Sequence, residues 1–222
     1  MIESRIMDVS RPYLALLQPV RAAVLLALRR TVSPMTGREV ARRAGVSQPA
    51  ALQALGLLVE HGLVHSQVAG RAYLYTLNEE HLLLEAVEAI FDVRARLVKR
   101  MAAAVSHWEI APLHVSLFGS MARGDGDTES DVDVMIVRPG FVDQASDDLV
   151  WRRQLETLVH EIDLWTGNRA ALVELSWGEL QKMHDERHGL LHAIRRDGIL
   201  ITGRRIEGDL LDKPMPQPAA AR

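Results

Sequence analysis

The chain has 222 residues, 48% apolar and 25% charged, with a net charge of −3 and no cysteine. That length suits one large domain or two small ones, since domains commonly run to about 100–150 residues. The lack of cysteine excludes disulfides and thiolate zinc sites, no apolar run is long enough to span a bilayer, and the acids and arginines of MIESRIMDVSRPYL stand where a signal peptide needs its apolar stretch, so the expected compartment is cytoplasmic.

In chain order, VRAAVLLALRR (20–30) reads as a helix. After the loop TVSPMTG, Thr36 with Glu39 three residues on has capping-box spacing. The helix REVARRA then runs to Gly45, a plausible C′ glycine. Ser47 caps a third helix, with Pro49 in its first turn, where a missing N–H costs little. Two extended runs, LVHSQVA and RAYLYTL, meet around Ala69-Gly70 and read as a hairpin.

From about Val20 to Leu77 this order resembles the winged helix-turn-helix domain of bacterial regulators, especially the ArsR-like class, through TGREVARRAGVSQPAALQALGLLVEHGLV. In such a domain the third helix enters the major groove with its N-terminal residues at the base edges. The resemblance thus makes Ser47, Gln48, Ala50 and Gln53 base-facing. It leaves Arg38, Arg42 and Arg43 for phosphates and puts Arg71 at the wing tip. Charge agrees: residues 1–77 hold nine Arg against four acids, a surplus of five, whereas residues 78–222 hold seventeen basic and twenty-five acidic residues, a deficit of eight. The implied partner is double-stranded DNA. A module for protein contacts is the other reading, since the third helix carries no arginine of its own.

Residues 78–107 read as one long helix capped by Asn78, with Glu79 and Glu80 in its first turn. Leu83, Val87, Ile90, Leu97, Met101 and Ala104 recur at alternating three- and four-residue steps, interrupted by Arg94. Such a stripe suits a seam between two chains, hence an expected homodimer, or a connecting helix packed on its own domains.

LHVSL (113–117) reads as a strand and is followed by FGSMARGDGDTESDVDVMIV. Residues two apart on a strand point the same way, so Asp131 and Asp133 present two carboxylates on one face. Adjacent carboxylates repel unless a cation lies between them, and Mg²⁺ suits oxygen ligands and brings triphosphate oxygens with it. Gly119 leaves room at the backbone. Ser120 offers a hydroxyl and an N–H where a helix begins. Arg123 is placed to brace the loop through Asp125 or to lie near phosphates.

Gly119-Ser120, ten residues, then Asp131-Val132-Asp133, flanked by Ala122-Arg123-Gly124-Asp125 and Ser130, resembles the signature of the DNA polymerase β nucleotidyltransferase superfamily, in its minimal branch. The resemblance implies a small α/β domain with a mixed sheet and transfer of a nucleoside monophosphate from an NTP to a hydroxyl. It also implies Mg²⁺ on Asp131 and Asp133, β/γ-phosphates on Gly119 and Ser120, and often a partner protein whose hydroxyl is the acceptor. The superfamily's third carboxylate sits on a later strand, here RAALVELS, and the expected position is Ala171. Glu174 is the nearest acid, but an odd offset of three turns it to the other face unless the register shifts. Asp163 is a further candidate, in a segment that reads as helix.

His184, His188 and His192 share one face of a predicted helix, KMHDERHGLLHAIRR, and read more as a polar face than as a metal site. The expected architecture is α/β (α+β): a winged helix at 1–77, a connecting helix at 78–107, a nucleotidyltransferase-like domain with a mixed sheet at 108–207 and a disordered tail at 208–222. Three functions remain open at this point: an active transferase using Glu174 or another base as the third catalytic group, a nucleotide-sensing regulator, and a DNA-binding repressor whose second half is a scaffold.

Overall fold

The structure, a computed structural model, describes Asp8, residues 11–140 and residues 145–211. Contacts divide the chain into two compact units, Pro12–Val93 and the residues from Arg94 onward.

The first unit follows the predicted order. Helices α1 (Pro19–Arg29), α2 (Gly37–Ala44) and α3 (Gln48–Glu60) precede a hairpin of β2 (Val64–Ala69) and β3 (Ala72–Leu77), and a two-residue strand β1 (Met35–Thr36) pairs with β3. Local chemistry sets the boundaries. Thr36 and Glu39 form a reciprocal capping box, Gly45 closes α2 at φ +67°, and the Ser47 hydroxyl accepts from the Ala50 amide to start α3. Val24, Leu25, Leu28, Val40, Ala51, Leu55 and Leu58 form the core. Each of the Val and Leu side chains contributes about 1.5–3 kcal/mol when fully buried.

The single long helix expected over 78–107 is instead two, α4 (Leu84–Phe91) and α5 (Val93–Ser106). Asn78 does not cap it. Its amide donates to the Gly62 carbonyl and its side-chain oxygen accepts from the Glu80 amide, a local turn that delays the helix to Leu84. At the break, Asp92 leaves helical geometry (φ −97°, ψ 18°) while its carboxylate accepts from Arg29 Nη2 at 2.6 Å. Arg29 also pairs with Glu88, which ties α4 to α1. The apolar stripe is divided: Val87 joins the first core, Leu97 and Met101 the second with Ala104 packed against it, while Leu83 stays exposed.

The second unit is a four-stranded sheet in the order β6 (Ala170–Ser176), β5 (Val132–Arg138), β4 (His114–Leu117), β7 (Ile199–Gly203). β5 and β6 run parallel and the other pairs antiparallel, so the sheet is mixed. One face carries α5 and α7 (Ala145–Thr166), with Met101, Trp151, Leu158 and Ile162 against Val115, Leu117, Val134 and Ile136. The other carries α8 (Trp177–Asp185) and α9 (Gly189–Asp197), with Leu180, Leu191 and Ile194 against Met135 and Val137. Leu210 is fully buried in this second cluster, so ordered packing continues past 208; residues 212–222 of the expected tail lie outside the described residues. Among the described residues no helix is long and apolar enough to cross a membrane.

Candidate functional site

The Gly-Ser loop and the two aspartates meet at one end of the two central strands, β4 and β5. β4 ends at Leu117, the Phe118 amide donates to the Asp133 carbonyl at 2.9 Å, and Gly119 turns the chain at φ +69° into the single-turn helix α6 (Gly119–Arg123). A Cβ built on Gly119 would lie 2.0 Å from Asp133 Oδ2. The glycine therefore serves two needs: a left-handed backbone, and the volume that the Asp133 carboxylate occupies. In sequence the room at Gly119 reads as space for phosphate; the structure gives it to the Asp133 carboxylate.

The connecting loop is held at several points. The Gly124 amide donates to the Ser120 carbonyl at 2.8 Å, and Arg123 Nε donates to Asp125 Oδ2 at 2.9 Å. Arg123 thus braces the loop, and the bond to Asp125 pushes its already high pKa further up. Asp127 and Ser130 bond each other in a tight polar turn. Fully buried Asn168, after the Gly167 turn, donates through Nδ2 to the Ser130 carbonyl at 3.1 Å, and the Val132 amide donates to the Arg169 carbonyl. These last bonds fix the approach to Asp131. Arg94, which looked like a break in an apolar stripe, donates to the Ala122 carbonyl at 3.0 Å and secures the end of α6. Neither Arg94 nor Asn168 stands in the motif; only their spatial neighbours reveal them.

Asp131 is exposed and Asp133 half-buried. Burial pushes the Asp133 carboxyl above its ordinary range, Asp131 pushes it further, and Arg123 partly offsets both. Arg123 offsets only part of the negative charge of the pair, and a cation would relieve the rest. Among the described residues no group of three or more metal-ligating side chains gathers. Two carboxylates remain a fitting donor set for Mg²⁺, which keeps waters and takes phosphate oxygens for its other positions.

The parallel register places Ala171 directly beside Asp133. Glu174 pairs with Ile136, on the α7 face, and its Oε1 accepts from the indole N–H of buried Trp151 at 2.8 Å, with Arg138 at 3.8 Å. It does not join Asp131 and Asp133, because no bulge interrupts β5–β6 to reverse its face. Asp163 lies in α7, not on a strand. The histidine-bearing helix is broken: α8 ends at Asp185, Arg187 takes φ +51°, and His188 caps α9 by accepting from the Leu190 amide. His184 and His192 therefore stand on different helices, and His184 Nδ1 faces Arg195 Nη2 at 2.7 Å.

In the first unit, Arg38, Arg42, Arg43, Ser47, Gln48, Gln53 and Arg71 are all exposed, and Ala50 is half-buried. Leu52 and Leu57 on α3, and Val68 and Tyr73 on the wing, are exposed beside them. The α3 surface is therefore mixed polar and apolar, with its positive charge supplied by α2 and the wing tip.

A family model described as a nucleotidyltransferase domain matches residues 98–189, and one described as a helix-turn-helix domain matches residues 16–67. The chain carries both domains, the helix-turn-helix first. No curated protein matches it. Among solved structures, similarity extends to human N-acetylserotonin methyltransferase in complex with SAM, at 19% identity over 40% of this chain and 30% of that one, with a TM-score of 0.28. A protein of Sulfolobus solfataricus described as a nucleotidyltransferase matches at 20% identity over 51% of this chain and 86% of that one, with a TM-score of 0.31. The chain spans less than a third of the methyltransferase.

Proposed function

We propose that this protein binds a nucleoside triphosphate with Mg²⁺ where β4 ends and β5 begins, and double-stranded DNA through its winged helix. The observation that carries the nucleotide half is the seat of Asp133: a half-buried carboxylate, raised by burial and by Asp131, pressed against a glycine that only the absence of a Cβ permits. Such a group is unfavourable by itself and becomes favourable with a cation. Asp131 and Asp133 hold the ion, while the Ser120 hydroxyl and the Gly119-Ser120 backbone receive the β/γ-phosphates. Arg123, shared with Asp125, adds positive charge at the loop. When bound, the ion neutralises phosphate charge and polarises the reacting phosphoryl group.

Two outcomes of binding are separable. One is transfer of the nucleoside monophosphate to a hydroxyl of a partner protein, with release of pyrophosphate. The other is sensing without transfer. Ala171 beside Asp133 favours the second, since the position that would activate an acceptor hydroxyl holds a methyl group. For DNA, the exposed Ser47, Gln48 and Gln53 address base edges, Arg38, Arg42 and Arg43 address phosphates, and Arg71 reaches out from the wing. Two copies would read two half-sites.

Isothermal titration with each NTP and Mg²⁺, beside an Asp131→Ala/Asp133→Ala variant, tests the nucleotide half. Binding by wild type that the variant loses supports it; absence of binding for every NTP refutes it. Label from an α-labelled NTP on any protein separates transfer from sensing. A gel shift against random-sequence duplex tests the DNA half.

A further inference from the structure

A second cavity, whose lining includes neither aspartate, lies where β4, β7 and α9 meet. It has a volume of about 150 Å³ and is lined by His114, Ser116, Ile194, Arg195, Leu200 and Ile206, among others. Two of its polar side chains are almost wholly buried, His114 at 3% and Ser116 at 2% exposure. Among the described residues, neither His114 Nε2 nor Ser116 Oγ has a hydrogen-bond partner. Buried polar atoms are rarely left so, and each one unsatisfied costs about 1–3 kcal/mol. The strand is also irregular here, with the β4–β7 register shifting between Val115 and Ser116. Bulges re-aim side chains and cluster near functional sites.

The chemistry of the floor is defined. His114 Nδ1 lies 2.7 Å from the Arg204 carbonyl, which can only accept, so Nδ1 carries the proton. Burial holds the ring below its ordinary titration range and hence neutral. Nε2 is then a lone-pair acceptor that needs a donor from the occupant. The Ser116 hydroxyl beside it can donate. Ile194, Leu200 and Ile206 supply apolar walls, while Arg205 and Glu207 stand at the rim. Arg195 Nε, likewise without a hydrogen-bond partner among the described residues, lies 3.1 Å from Glu207 Oε1 as an ion pair. An apolar cavity of roughly this size accommodates a benzene ring. This one differs in having a polar floor.

We propose that the cavity beneath the β4–β7 bulge binds a small planar heterocycle of six-membered-ring size that carries a hydrogen-bond donor beside an acceptor, as a pyrimidine base does. The ligand N–H donates to His114 Nε2. Its neighbouring carbonyl or ring nitrogen accepts from the Ser116 hydroxyl, and its faces lie against the three aliphatic side chains. The site is separate from Asp131 and Asp133 and needs no Mg²⁺, so it stands or falls independently of the nucleotide proposal.

The test uses the full chain with ¹⁵N-labelled histidine, without Mg²⁺, titrated with cytosine, uracil and benzene. Cytosine or uracil is expected to shift His114 Nε2 saturably, and benzene to leave that nitrogen unmoved. Ser116→Ala should weaken base binding about fivefold, the loss of one hydrogen bond. Leu200→Phe, which fills the cavity from a partly exposed strand, should abolish the shift, and unchanged tryptophan fluorescence verifies that each variant is folded. No shift with either base, or a shift that Ser116→Ala and Leu200→Phe leave intact, overturns the proposal; a cavity that holds only water gives the first of these results.

Discussion

Replacing Gly119 by alanine tests the geometry of the candidate site with numbers. At φ +69°, any L side chain is strained, by about 1–2 kcal/mol on steric grounds. The new Cβ would also stand 2.0 Å from Asp133 Oδ2, far inside contact distance, so the carboxylate must swing away. An off-rotamer side chain adds about 0.5–1.5 kcal/mol. The expected loss is therefore about 1.5–3.5 kcal/mol in this unit, the two contributions taken together. Gly208→Ala is the control: its φ is +75°, yet nothing lies within 4 Å of the added carbon, so only the backbone strain applies. Urea denaturation followed by tryptophan fluorescence is selective, because Trp108, Trp151, Trp165 and Trp177 all belong to the unit that begins at Arg94. Gly119→Ala should also lose Mg–NTP binding, whereas Gly208→Ala should keep it. Equal destabilisation by the two substitutions, with nucleotide binding retained in both, would refute the claim that Gly119 makes room for the carboxylate.

Asp133→Asn should raise thermal stability at neutral pH without metal, since it removes a carboxylate whose folded pKa is raised. A raised pKa means that the stabilisation is present below the unfolded value and is lost as pH rises through the folded one, so the gap between wild type and variant should narrow on acidification; a gap that widens contradicts this. Glu174→Ala should leave the buried Trp151 N–H without its acceptor and cost about 1–3 kcal/mol in denaturation, while calorimetry shows Mg–NTP affinity unchanged. Ala171→Asp, by placing a carboxylate beside Asp133, should tighten Mg²⁺ binding in the presence of NTP, and no tightening would argue against the register. Arg71→Ala should weaken DNA binding evenly across sequences and reduce the salt slope by about one, as the loss of a single phosphate contact requires.

Much of this was legible in the sequence because it is written locally. The Thr36–Glu39 capping box, Ser47 as a cap, Gly45 in the left-handed region and the hairpin around Gly70 are short-range chemistry, and the structure has them all. The face of Glu174 followed from parity along a strand. Where the reading departed, longer-range contacts decided. Asn78 looked like a helix cap, but its amide is taken by Gly62, sixteen residues away. An apolar stripe broken only at Arg94 suggested one helix from 78 to 107, but Arg29 holds Asp92 from a helix sixty-three residues earlier. The three histidines kept helical spacing, yet His188 gave its ring nitrogen to a cap instead. Arg94 and Asn168 were silent in sequence because their partners, Ala122 and Ser130, lie in a loop whose path only the fold defines.

The most direct test of the central claim is a crystal structure of the full chain grown with Mn²⁺ and a non-hydrolysable nucleoside triphosphate, read by anomalous scattering. An Mn²⁺ peak between the Asp131 and Asp133 carboxylates, with phosphates over Gly119 and Ser120, is the predicted result. Nucleotide or metal bound elsewhere, with that pair unliganded, would contradict the account.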